Sequence, residues 1–133
     1  MTDSIIKLDN ISKRFGHNQV LKDINFEIKE GEIYGIIGMS GSGKSTLLSI
    51  MADLIKPDTG KILYKFDKEK FSEISKKPEL IKKLFGYSFQ TPSIHSMLTV
   101  QENIEHFSAL YGLPKEFGKK NAEVLLKLVE LDD

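Results

Sequence analysis

The chain has 133 residues, 19 Lys plus Arg against 19 Asp plus Glu, 40% hydrophobic and 9% aromatic residues, and no cysteine. This reads as one soluble domain or part of one: apolar enough for a packed core, with no apolar run long enough to cross a membrane. It leaves no room for a disulfide framework, a thiolate metal site or a thiol nucleophile, and the zero net charge, with acids diluting the Lys-rich stretch 61–90, argues against a nucleic-acid-binding face.

The first ten residues lack the basic and apolar regions of a signal peptide. Ser4 to Asn10 is rich in Ile and Leu, and Val20 to Ile28 alternates apolar and polar residues, so both predict strands. Arg14 to Asn18 forms a turn-rich connection between them, and Lys29 to Glu32 closes the second strand with a tight turn. An antiparallel β layer over about residues 1–32 follows. Ile33 to Ile37 (IYGII) is a near-continuous apolar run, which predicts a strand buried on both faces of a mostly parallel sheet.

After the glycine-rich segment Gly38 to Gly43, residues Leu47, Leu48, Ile50, Met51, Leu54 and Ile55 recur at helical spacing, predicting a helix that Pro57 and Gly60 stop. Lys61 to Phe66 predicts a strand, Lys77-Pro78 opens a short basic helix with Leu80, Ile81 and Leu84, and Gly86 to Phe89 predicts a further strand ending at Gln90. Thr99 and Glu102 have capping-box spacing, so a helix is predicted from about Val100 to Tyr111, with Val100, Ile104, Phe107 and Leu110 on its apolar side. In the last segment Val124, Leu125, Leu128, Val129 and Leu131 form one stripe, and no capping signal follows it.

The motif that carries chemistry is Gly38-Met39-Ser40-Gly41-Ser42-Gly43-Lys44-Ser45, which fits G-x-x-x-x-G-K-[ST], followed by Thr46. Glycines let the backbone take positive φ and approach a phosphate with no Cβ in the way, so successive N–H groups can face the anion. The helix that follows adds its unpaired N–H groups and the positive end of its dipole. Lys44 suits terminal phosphates, Ser45 suits Mg²⁺ and Thr46 an inner phosphate. The chain's own composition would produce the pattern by chance roughly once in a hundred such sequences.

The chain resembles the ATP-binding cassette (ABC) ATPases, the nucleotide-binding subunits of ABC transporters. The stretches "LDNISKRFG", "VLKDINFEIKEGEIYGIIGMSGSGKSTLLSIMADLIKPDTGKI" and "FGYSFQTPSIHSMLTVQENI" carry the resemblance in order. "HFSALYGLP" resembles the ABC-2 type exporter subfamily. The resemblance implies an α/β P-loop NTPase core with an antiparallel β layer: the layer from about 1–32, the core from about 33–90 and the start of a helical subdomain from about 91–133. It implies that Phe15 stacks on adenine, where Tyr is commoner, although a core role suits a Phe as well. It implies ATP and Mg²⁺ as ligands, with Gly38, Ser40, Gly41, Ser42, Gly43, Lys44, Ser45 and Thr46 holding the phosphates. Gln90 would contact Mg²⁺ and the attacking water, so Lys44 and Gln90 are the catalytic candidates and Ser45 and Gln90 the metal candidates.

The implied partners are a transmembrane transporter subunit, met by the segment from Thr91 to about Leu110 through Ser93, Ile94, Met97 and Leu98, and a second ATP-binding subunit, identical or different. The implied location is the cytoplasmic face of a membrane. Asp53 stands where the family usually has Gly, and His17, His95 and His106 have no family role and read as structural or solvent-facing. The family's "LSGGQ" segment and the apolar strand ending in Asp-Glu do not occur in these residues. The expectation is therefore an N-terminal portion of such an ATPase, ending inside the helical subdomain, that binds Mg·ATP and does not turn it over by itself. Two other readings stay open: a soluble ABC ATPase of repair or translation, and a non-catalytic nucleotide-binding module.

Overall fold

β1 (Ser4–Phe15) and β2 (Asn18–Lys29) form an antiparallel hairpin in which Phe15 pairs with Asn18. The loop is only Gly16 and His17, and a positive φ of 58° at Gly16 is what glycine supplies in tight hairpin turns. In the computed structural model, residues 3–67, 70–73, 76 and 85–131 are described. They belong to two units, one reaching Phe85 and the other starting at Gly86.

In the first unit β1 also pairs antiparallel with β3 (Thr59–Asp67), and β3 with β4 (Lys70–Glu73), giving the order β2-β1-β3-β4. The predicted antiparallel layer is present and draws in two strands from later sequence. Its inner face packs against α1 (Lys44–Met51): Leu8, Ile11, Leu21, Ile62 and Tyr64 from the sheet meet Leu47, Ile50 and Met51 from the helix. Each such buried side chain contributes roughly 1.5–3 kcal/mol of apolar transfer.

α1 is shorter than its apolar spacing predicts. Asp53 takes a left-handed φ of 57°, its N–H donates to the Ile50 carbonyl at 3.1 Å, and the Leu54 N–H donates to the Ser49 carbonyl at 2.9 Å. This is a Schellman closure, so the chain leaves the helix at Asp53 rather than at Pro57, and Leu54 is exposed. The glycine usual at this position is explained by the same geometry.

Residues 33–37 are not a buried strand. Ile33 is 100% and Ile37 99% exposed, Ile36 packs partly on the core, and Tyr34 stacks on Phe26 with ring centroids 5.0 Å apart. A strand buried in a parallel sheet needs ladder partners on both sides. The strand pairings among the described residues are β1 with β2, β1 with β3 and β3 with β4, and residues 33–37 have no place in them. Residues 86–89 likewise form no strand. The basic helix expected at Lys77 to Leu84 lies outside the described residues.

The second unit contains α2 (Val100–Leu110) and α3 (Lys115–Leu128). The capping box at Thr99 and Glu102 is present as expected. Gly112, φ 74°, closes α2 with bonds from its own N–H to the Ala109 carbonyl and from Leu113 N–H to the Ser108 carbonyl. α3 ends in the same way at Glu130, φ 58°, so the segment without a capping signal is capped by a glutamate in the left-handed region. The stripe Val124, Leu125, Leu128, Val129 and Leu131 is exposed. α3 buries Gly118, Ala122 and Leu126 instead, because small residues let the helices come close: a Cβ on Gly118 would lie 3.0 Å from the Ser108 Cβ on α2. On α2, Val100 and Leu110 are exposed and Asn103 is the buried position.

Candidate functional site

The loop from Gly38 to Gly43 runs directly into α1. Gly43 caps the helix with φ 91° and no side-chain bond, which leaves the first helical N–H groups to face the loop. A Cβ at Gly43 would lie 2.9 Å from Val20 Cγ1 and Leu21 Cδ2 and 3.0 Å from the Val20 carbonyl oxygen, so β2 presses on the loop from behind. At Gly38 a Cβ would meet Ser42 Oγ at 2.8 Å. At Gly43, where φ is positive and a backbone oxygen comes this close, only glycine lets the loop keep this curl. Lys44 Nζ donates to the carbonyl oxygens of Gly38 at 2.8 Å and Met39 at 2.7 Å, holding the ammonium across the loop mouth.

In front of the loop is a cavity of about 250 Å³ lined by Phe15, Val20 and residues 41–46. The structure thus brings Phe15 from the hairpin end to Gly41, Ser42, Gly43, Lys44, Ser45 and Thr46. Phe15 is 50% exposed, so its ring is no core residue. Lys13 Nζ lies 5.5 Å from the Phe15 ring centroid. Gly38 and Ser40 shape the loop without lining the cavity. Val20 does line it, and no spacing in the sequence separates Val20 from the other apolar positions of its strand.

The profile of the ABC transporter family matches residues 21–133. The chain belongs to the ABC transporter ATP-binding family. Its relatives include a probable sulfate/thiosulfate import ATP-binding protein CysA of Chlorella vulgaris, 39% identical over 96% of this chain and 51% of the relative. They also include the methionine import ATP-binding protein MetN of Clostridium acetobutylicum, 37% identical over 97% of this chain and 40% of the relative. Among solved structures, the ATP-binding cassette MJ1267 of an ABC transporter aligns with TM-score 0.78 and 28% identity over 98% of this chain and 55% of that one. A dimeric post-hydrolysis state of the cassette MJ0796 bound to ADP and Pi aligns with TM-score 0.74 and 32% identity over 95% of this chain and 57% of that one. The chain spans about half the length, or less, of the curated relatives it matches.

Chemically, the glycine curl, the helix N-terminus without a side-chain cap and the half-exposed ring offer backbone donors and a cation at one end of the cavity and a flat apolar surface at the other. Gln90 is exposed and belongs to the second unit, as do the exposed Ser93, Ile94, Met97 and Leu98. That unit holds a larger cavity of about 420 Å³, lined by Ile94 to Leu98 and His106. Its lining is three apolar side chains, Ser96 and two imidazoles, with no glycine loop and no lysine, so chemistry and not volume selects the glycine loop. His95 and His106 pack edge to face at 4.7 Å, and His17 is exposed in the hairpin loop. Among the described residues no helix is long and apolar enough to cross a membrane.

Proposed function

We propose that this chain carries the nucleotide-binding part of the ATPase subunit that powers a membrane ABC transporter from its cytoplasmic face. The observation that supports it is the single cavity in which Phe15 joins the loop residues Gly41 to Thr46. In this reading Phe15 stacks on adenine, the backbone N–H groups from Gly41 into the start of α1 hold the phosphates, Lys44 takes the terminal phosphates and Thr46 an inner one. Ser45 is the Mg²⁺ ligand that the loop itself supplies. Mg²⁺ supplies charge neutralisation on the phosphate oxygens. The dimeric cassette among the structural relatives supports a second ATP-binding subunit as partner. The exposed Ile94, Met97 and Leu98 support the segment from Thr91 to Leu110 as the surface that meets a transmembrane subunit.

Calorimetric titration of the chain with Mg·ATP tests the reading, beside Lys44→Ala. Loss of the lysine is expected to weaken binding at least about tenfold, the equivalent of roughly 1.4 kcal/mol. Equal heats and affinities for the two proteins would refute it.

A further inference from the structure

We infer that Asp58 is a positioning residue for Phe15, setting the adenine end of the nucleotide site from the turn that follows α1. The inference rests on the reading that Phe15 stacks on the base. β1 pairs with β3 only as far as Ser12, which lies opposite Thr59, while its other edge stays paired with β2 to Phe15. The last three residues of β1 therefore extend beyond their β3 partner and carry the ring on a strand end laddered on one side.

Asp58 replaces the missing ladder. Its own N–H donates to the Ser12 carbonyl at 2.9 Å, its Oδ2 accepts the Arg14 N–H at 2.7 Å, and its Oδ1 accepts Lys13 Nζ at 2.9 Å. Three consecutive residues leading into Phe15 are thus each tied to one aspartate, and the lysine so held places its ammonium over the ring. Lys13 Nζ and the Arg14 N–H hold the Asp58 carboxyl below the usual Asp range, so it is ionised wherever the protein is folded near neutral pH. Because Asp58 lies in the segment through which α1 returns to β3, the phosphate end and the base end of the site are fixed through one short connection.

The test is calorimetry of the full chain with Mg·ATP and with magnesium tripolyphosphate, which has the phosphates and no base. The proteins are wild type, Phe15→Ala, Asp58→Ala, Asp58→Asn and the Phe15→Ala/Asp58→Ala double variant. Asp58→Ala is expected to weaken ATP about three- to tenfold, a part of the stacking contribution, and to leave tripolyphosphate unchanged. In the Phe15→Ala background it adds less than about twofold, since coupled residues are not additive. Asp58→Asn, which still accepts the Arg14 N–H, recovers part of the loss. If Asp58→Ala weakens both ligands alike, or spares ATP while Phe15→Ala weakens it, the inference fails and the stacking reading stands. If Phe15→Ala leaves ATP binding unchanged, the stacking reading itself fails and takes the inference with it.

Discussion

The Tyr64 hydroxyl donates to the Met51 carbonyl, joining β3 to the last turn of the helix that follows the glycine loop. Tyr64 is 2% exposed, and its ring meets Phe85 edge-on at 5.1 Å. Burial, reinforced by the Asp53 carboxylate, raises its ionisation well above the usual phenol range, so it is a donor at every pH at which the protein folds. Tyr64→Phe keeps the packing and leaves a helix-terminal carbonyl without this donor. The expected loss is about 1–2 kcal/mol, read from urea unfolding midpoints. An unchanged midpoint would show that the bond adds nothing.

Gly60 combines a φ of 85° with an approach that no side chain tolerates: a Cβ there would lie 2.4 Å from the carbonyl oxygens of both Asp9 and Asn10. The contacts are backbone, so they cannot yield by a rotamer change. Gly60→Ala is expected to cost about 2–4 kcal/mol. Gly16→Ala, whose Cβ would meet nothing within 4 Å, is the control that isolates the clash from the dihedral.

At Asp53 the two effects oppose each other. Relief of a left-handed dihedral favours glycine by up to about 1 kcal/mol, while the ion pair with the exposed Lys56 is worth about 0.2–1 kcal/mol. Asp53→Gly should therefore leave stability equal or slightly raised. Asp53→Val, β-branched and without the ion pair, should lower it by about 1–3 kcal/mol. Similar losses in both variants would contradict the helix-closure assignment.

Asn103 pins the loop ahead of α2. Its Nδ2 donates to the carbonyls of His95, Leu98 and Thr99 at 3.1, 3.2 and 2.9 Å, and its Oδ1 accepts the His95 N–H at 2.8 Å. Asn103→Ala should speed amide exchange of His95 by at least about tenfold, the local equivalent of roughly 1.4 kcal/mol. Protection retained at His95 would mean that the loop is held by other contacts.

Among the described residues four carboxyls are held below their usual values: Asp3 by Lys65, Glu27 chiefly by Lys7, Asp58 by Lys13 and Glu102 by the Thr99 N–H and hydroxyl. In each case the unfolded chain binds the proton more readily. The stability they contribute is fully present above the ordinary carboxyl range and is lost as pH falls through that range to the depressed folded-state values. Urea midpoints should be level from pH 7 to 5 and drop at pH 3. A smaller drop is expected in Asp58→Asn.

What could be read along the chain was local. The glycine loop, the hairpin, the capping box and the strand at Lys61 to Phe66 depend on residue types a few positions apart, and their physics is complete within that span. The family resemblance rested on the same short stretches and on their order. What the tertiary structure decided was which surfaces meet. It placed Phe15 beside Ser42 to Thr46, set Asp58 beneath the end of β1, and turned the α3 stripe outward in favour of Gly118 and Ala122. It also left Ile33 and Ile37 exposed where hydropathy alone read burial. Apolar spacing records that a residue favours leaving water, but which neighbour takes it up depends on ladder partners and close approaches between segments far apart in sequence.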